Sequence, residues 1–391
     1  MVKKAFLALA IIIIVFVIVF FKPLSTLFRV GSGVLLNKKI ELRTEQDNKI
    51  NMLIMGIGGG NHDGPNLTDT IIYAYIDPVK NSVDLVSIPR DLWIPDLKDK
   101  INDAYAFGQD GGKNKGILTA KAVLEKVTGQ PIDYAVVIDF DGFVKAVNLL
   151  GGIDVDVPNT FTDSQYPIEG EEDNLCGHTD DQIATLSAQI ASGSAQETDI
   201  FPCRYKTIHF EKGVQHMDGQ TALEFVRSRH AYGEEGSDFA RSRRQHAVIA
   251  AVKAKVLSLG IILNPVKLLD LYNTVSANIN TDIDQSEYDD FIKLAQKMQN
   301  AKITNSVIDV GGTEQSQYGL LTHPDITAEY NFAWVLTPRV GNGDFSEIAK
   351  YISCLQTSGD CVVTQNDVVP AASLTPSPSV NPSIGVRKKL P

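Results

Sequence analysis

Three clusters in this chain carry side chains suited to phosphate chemistry. In Ser87-Ile88-Pro89-Arg90-Asp91 an apolar run ends abruptly in two opposite charges. The planar fork of Arg90 matches phosphate oxygens in a bidentate way, and the end of a strand would hold it rigidly; the plainer alternative is a surface ion pair with Asp91. Further on, Phe225-Val226-Arg227-Ser228-Arg229-His230 and Ser237-Asp238-Phe239-Ala240-Arg241-Ser242-Arg243-Arg244-Gln245 crowd arginines together, with no lysine from Arg227 to Gln245. Solvated helix faces are usually populated by lysine and glutamate, so the arginine-only set favours anion binding. On a helix opening near Asp238, Arg241, Arg244 and Gln245 would share one face. The third cluster, Gly56 through Thr70, is a glycine-rich loop between two strands, in which Asp63 and Asp69 could offer hard oxygen ligands to one divalent cation. Ordinary turn chemistry is the competing account of those carboxylates. The spacing Gly56-x-Gly58-x-Gly60 is followed by a strand, leaving no helix N-terminus to dock the pyrophosphate of a dinucleotide.

The elements that would position these groups are legible from periodicity. Short runs rich in Ile and Val at 50–57, 70–76, 83–88, 134–139 and 153–157 predict strands. Helical spacing predicts helices at 118–128, 141–150, 218–229 and 238–259, the second ended by Gly151-Gly152 and the last by Gly260. Alternating strands and helices indicate an α/β fold, a mixed α+β sandwich with a central β-sheet flanked by helices. Residues 159–194 are polar, with Gly and Ser, and are expected to hold no regular structure.

The 391 residues are 43% hydrophobic and 21% charged, which excludes wholesale disorder and a multi-span membrane protein. A net charge of -11, from 36 basic and 47 acidic residues, argues against nonspecific nucleic-acid binding. The apolar run 5–21, preceded by Lys3 and Lys4, has about the minimum length for a membrane-spanning helix. Phe20-Phe21-Lys22-Pro23-Leu24 offers no small-x-small cleavage site, which favours an uncleaved anchor over a signal peptide. Lys3 and Lys4 place the N-terminus in the cytoplasm and the bulk of the chain outside. The cysteines, Cys176, Cys203, Cys354 and Cys361, all follow the anchor. In an oxidising compartment they pair most simply as Cys176–Cys203 and Cys354–Cys361, with two other connectivities and free buried thiols as alternatives. None has a zinc-ligand spacing. The expected organisation is a cytoplasmic N-terminus at 1–4, an anchor at 5–21, a linker at 22–48 and an extracytoplasmic domain at 49–312 with an insertion at about 159–207. A C-terminal extension at 313–365 and a disordered tail at 366–391, rich in Ser, Thr and Pro, complete it.

The order of motifs resembles the LytR-CpsA-Psr family of cell-envelope phosphotransferases. The matching residues are Leu67-Thr68-Asp69-Thr70, Leu85 through Asp91, Lys100-Ile101-Asn102-Asp103-Ala104-Tyr105, Tyr134 through Phe140, Gly151-Gly152-Ile153-Asp154-Val155 and Met217 through Arg241. The resemblance runs from about 50 to 259 and more loosely to about 312. It implies transfer of a glycan polymer from a polyprenyl pyrophosphate carrier to a peptidoglycan hydroxyl through a phosphodiester, assisted by Mg²⁺. By position, Asp69 would ligate the metal, Arg90, Arg227, Arg229 and Arg241 would bind the pyrophosphate, and Asp238 and Gln245 fall on further active-site positions, Asp238 being the candidate general base. Two residues depart from the family pattern. Gly58 stands where a second metal-binding Asp is usual, so Asp63 is the expected substitute, and Leu67 stands where an Arg is common. Those departures keep open a non-catalytic receptor for polyprenyl-linked glycans, and a hydrolase that releases the glycan to water is a third reading.

Overall fold

The computed structural model describes residues 40–45, 49–60, 64–109, 112, 115–258, 274–312 and 317–373, with the backbone alone for Asp238, Phe239, Leu257, Gly312 and Gln317. Strands β1 (Ile50–Ile57), β2 (Thr68–Asp77) and β3 (Ser82–Ser87) form an antiparallel meander. Along β2, Ile72, Ala74 and Ile76 enter one core while Ile71, Tyr73 and Tyr75 enter another, the two-residue period of a strand. A sheet apolar on both faces must be covered on both.

The remaining elements do that. Helices α1 (Ala104–Gln109) and α2 (Lys115–Thr128) lead to β4 (Tyr134–Asp139), which pairs parallel to β1, and to α3 (Phe140–Leu149) and β5 (Ile153–Val157). Next come β6 (Phe161–Pro167), α4 (Asp180–Ala191), β7 (Tyr205–Phe210), β8 (Gly213–Met217), α5 (Gly219–Arg227) and α6 (Asp238–Ser258). The chain continues through β9 (Ile279–Thr281), α7 (Tyr288–Lys297), β10 (Lys302–Val307), α8 (Ser346–Ser358), β11 (Cys361–Val363) and β12 (Val368–Pro370). The six-stranded mixed sheet runs β9-β4-β1-β2-β3-β10. Val147 of α3, Phe225 of α5, Val252 of α6 and Phe291 of α7 pack on one face. Ile117 and Leu124 of α2 and Ile348, Ile352 and Leu355 of α8 pack on the other. Each such side chain contributes about 1.5–3 kcal/mol by leaving water.

Because β1 is antiparallel to β2 and β2 to β3, while β4 and β10 run parallel to β1 and β3, four strands end along one edge of the sheet. The carboxyl edge of parallel strands is where open α/β sheets bind ligands.

Two expectations are corrected. Residues 159–194 hold β6 and α4, and β6 pairs antiparallel with β7. The segment looked irregular because α4 buries none of its residues and so carries no apolar stripe. Its start is nonetheless marked by a capping box in which Thr179 and Gln182 satisfy each other's backbone. Residues 366–373, expected to belong to a disordered tail, are instead ordered, since β12 pairs with β11 and Val368 is buried in the core; the rest of that expected tail lies outside the described residues. The C-terminal extension is also part of the sandwich, through α8. The disulfides are Cys176–Cys203 and Cys354–Cys361, with Cα separations of 5.6 and 6.2 Å. Among the described residues no helix is long and apolar enough to cross a membrane, and the expected span at 5–21 lies outside them.

Candidate active site

The carboxyl edge gathers most of the residues singled out by type. β1 ends in a tight turn in which Gly59 has φ +69°, and a Cβ there would sit 2.6 Å from Cβ of Asp139, so only glycine fits. The turn leads back into β2, where the Thr68 hydroxyl donates to the Asn102 carbonyl at 3.1 Å and fixes Asp69 at the start of the strand. After β3, Ile88 still bonds to Ile71 before Pro89 ends the pairing and releases Arg90. Nη1 of Arg90 forms an ion pair with Oδ1 of Asp69, and its Nε lies 3.6 Å from Asp91. Asp91 is itself held by Lys100 at 2.7 Å. Arg90 therefore answers to Asp69 more closely than to Asp91, its neighbour in sequence.

The second group stands on the loop that leaves α5. Ser228, at φ -50° and ψ 134°, breaks out of the helix. Its backbone is gripped by Asp163 of β6, a carboxylate with no exposed surface. Oδ2 of Asp163 accepts from Ser228 Oγ at 2.7 Å and from the backbone N–H groups of Arg229 and His230 at 3.1 Å each, while Oδ1 accepts from Gln165 N at 2.9 Å. Burial alone would raise its pKa, but the four hydrogen bonds outweigh that and hold the carboxyl below its usual range. Arg227 lies over the ring of Phe140, its guanidinium carbon 4.3 Å from the centroid, with the Tyr166 ring on another side at 6.0 Å. Burial pushes the Tyr166 phenol up to about 12 against the opposing pull of Arg227. Asp163 and Tyr166 both come from the segment expected to be irregular, and no motif of their own marked them.

The third group is on α6, and here the expected shared face divides. Gln245 donates to Thr70 Oγ1 at 2.9 Å, which ties α6 to β2 beside Asp69. Arg244 is wholly buried and turned away, its Nε donating to the Phe225 carbonyl at 3.0 Å and its Nη2 to the Ser228 carbonyl at 2.6 Å. Its Nη1 contacts the Glu235 carboxylate at 3.1 Å, and Arg243 pairs with the other oxygen of the same carboxylate at 2.9 Å. Those two arginines therefore serve the fold. His246, next in line, is buried and shares a hydrogen bond with Ser87 Oγ at 3.2 Å; burial lowers its pKa to about 4, so the ring is neutral near pH 7.

Asp69, Arg90, Arg227, Arg229, Arg241 and Gln245 all line one cavity of about 190 Å³. Four guanidinium groups around a space of that size can neutralise a diphosphate, and inside a protein such groups act far more strongly than in bulk water. The backbone of Asp238 opens α6 less than one turn before Arg241; its side chain, and all of Asp63, lie outside the described residues. Among the described residues no three His, Cys, Asp or Glu side chains gather as a metal cluster. Asp69 still fits Mg²⁺, which commonly takes one or two carboxylates and completes its shell with phosphate oxygens and water.

Comparison with known proteins identifies a family and a fold. The model of the LytR_cpsA_psr family matches residues 30–327. Curated relatives include polyisoprenyl-teichoic acid–peptidoglycan teichoic acid transferases. TagU of Bacillus cereus is 26% identical over 65% of this chain and 66% of its own length, and TagU of Enterococcus faecalis is 28% identical over 68% and 71%. TagV of Bacillus subtilis is 28% identical over 62% of this chain and 53% of its own. The chain thus spans about half to seven-tenths of the length of these relatives. The crystal structure of B. subtilis TagV shares the fold at a TM-score of 0.50 and 24% identity, covering 79% of this chain and 97% of that one. The protein gbs0355 from Streptococcus agalactiae does so at a TM-score of 0.50 and 22% identity, covering 78% and 88%. On the match across residues 30–327, this chain belongs to the LytR_cpsA_psr family.

Proposed function

We propose that the chain is a phosphotransferase that moves a glycan polymer from a polyprenyl-diphosphate carrier to a hydroxyl of peptidoglycan. The observation that carries this reading is the convergence of Arg90, Arg227, Arg229 and Arg241 on one cavity with Asp69 and Gln245. The arginines bind the diphosphate; Asp163 and Phe140 fix where Arg227 and Arg229 stand. The acceptor oxygen attacks the phosphorus next to the sugar, the P–O–P bond breaks, and polyprenyl monophosphate leaves with the bridging oxygen and its electron pair. The sugar-phosphate is then joined to the acceptor as a phosphodiester. Phosphoryl transfer of this kind needs positioning and charge neutralisation above all. The acceptor proton goes to a base, which we assign to Asp238 on α6. Mg²⁺, when bound, would be held by Asp69 with Asp63 and would neutralise charge on the phosphate oxygens. The apolar run 5–21 would anchor the chain in the cytoplasmic membrane and leave the catalytic domain outside.

The test incubates the full-length protein in detergent with Mg²⁺, a polyprenyl-diphosphate disaccharide and soluble peptidoglycan oligomers, beside Arg90→Ala. A phosphodiester-linked product seen by mass spectrometry, and lost in the variant, is the expected result. Glycan phosphate released to water would indicate the hydrolase, and donor binding without turnover would indicate the receptor.

A further inference from the structure

A second cavity, of about 370 Å³, opens beside the arginine site, and Asp69, Thr70, Arg241 and Gln245 line both. Its far wall is lined by Asp309, which follows β10, and by His323 and Trp334 of the C-terminal extension. Trp334 lies beyond the last residue that the family model matches. Its indole is 42% exposed, whereas the chain's other tryptophan, Trp93, is 3% exposed. The Trp334 ring is braced by His323, edge to face at 4.7 Å. The His323 ring is braced in turn, since its Nδ1–H donates to the Pro324 carbonyl at 2.7 Å. Asp309 accepts from Gly311 N through Oδ1 at 2.9 Å, and no hydrogen bond to Oδ2 occurs among the described residues. An apolar ring platform held rigid, with a carboxylate oxygen free to accept from hydroxyls, suits a pyranose, which presents a C–H face and a rim of O–H groups. The neighbourhood agrees: Val310, just before the extension, and Tyr318, Phe332 and Trp334 within it leave large apolar surface in water.

Resting on the transferase reading above, we propose that this cavity is the acceptor subsite, in which a sugar ring of the peptidoglycan strand stacks on Trp334 and donates a hydroxyl hydrogen bond to Asp309. The shared lining by Asp69, Arg241 and Gln245 then brings another hydroxyl of that ring beside the diphosphate. Trp334, beyond the family-matched residues, so supplies the stacking platform, while Asp309 and the arginines, all within them, supply the polar contacts.

Two measurements on the full chain test this. In steady-state transfer, Trp334→Ala should raise the KM for soluble peptidoglycan oligomers roughly tenfold and leave the donor KM within about twofold, and Trp334→Phe should recover most of the loss because it keeps a ring. In a binding titration without donor, a peptidoglycan glycan-strand fragment should shift the tryptophan fluorescence of the wild type and leave that of Trp334→Phe unchanged, since only the buried Trp93 then reports. Circular dichroism establishes that both variants fold. A rise in donor KM in place of acceptor KM, or no fluorescence shift in the wild type, overturns the acceptor subsite. A fluorescence shift without any transfer leaves the subsite standing and removes the transferase reading.

Discussion

Arg241 and Arg244 lie less than one turn apart on α6, and the structure uses them in opposite ways. Arg241 lines a cavity with three other arginines and Asp69. Arg244 is sealed among the Phe225, Ser228 and Glu235 carbonyls, the Glu235 carboxylate and the ring of Phe161, 4.8 Å away. A buried guanidinium is tolerable only when its donors are matched, and Arg244 has matched its own within the fold. Arg241 instead brings its charge to the wall of the cavity. Residue type supplies a guanidinium; the acceptors around it decide whether it holds the fold together or binds a ligand.

The largest effect that would sharpen this contrast is on stability. Arg244→Ala leaves three buried carbonyls without donors and should cost about 3–5 kcal/mol, read as a fall in the urea midpoint. If Arg244→Ala unfolds no more easily than the wild type, the division of labour is wrong. Arg241→Ala should do the reverse, lowering kcat/KM by about 10²–10³-fold, the scale of removing one donor to developing charge, while its urea midpoint moves far less than that of Arg244→Ala.

How far this division could be read in advance depends on the length scale of each cause. β1, β4 and β5 have the bounds that their Ile and Val runs predict, because alternation within a strand is local. The cysteine pairs follow from order along the chain. β10 escaped because Lys302-Ile303-Thr304-Asn305-Ser306-Val307 is a sheet-edge strand with little buried surface. Helical spacing placed Arg241, Arg244 and Gln245 on one face, yet Arg244 turned away because Glu235 and the Phe225 and Ser228 carbonyls approach from other elements. Asp163 was invisible for the same reason: its partners Ser228, Arg229 and His230 are brought to it by the pairing of β6 and β7 and by the exit from α5.

Asp163 offers a smaller test. Asp163→Ala would leave buried donors at Ser228, Arg229 and His230 and should cost about 1–3 kcal/mol. Because the same bonds aim Arg227 and Arg229, the donor KM should rise while the acceptor KM holds, and Asp163→Asn should recover part of the loss. A uniform fall in active fraction with both KM values intact would make Asp163 a purely structural residue.

The smallest effect separates Asp163 from His246 by pH. Asp163 has a lowered pKa in the fold, so its contribution is complete above the ordinary aspartate value of 3.8 and is lost only as pH falls through and below it. For His246 the free value is 6.5 and the folded one about 4. Between those values the unfolded chain binds a proton that the fold refuses, so stability falls as pH drops from 6.5 towards 4, by on the order of 1 kcal/mol at pH 5.5. Chemical denaturation at pH 7.5 and 5.5 should therefore show that loss in the wild type and a smaller one in His246→Asn, whatever the variant's absolute stability. Equal losses in both proteins would mean that His246 takes up a proton within the fold, and a charged ring beside Ser87 would then add to the positive field of α6 that Arg241 now supplies.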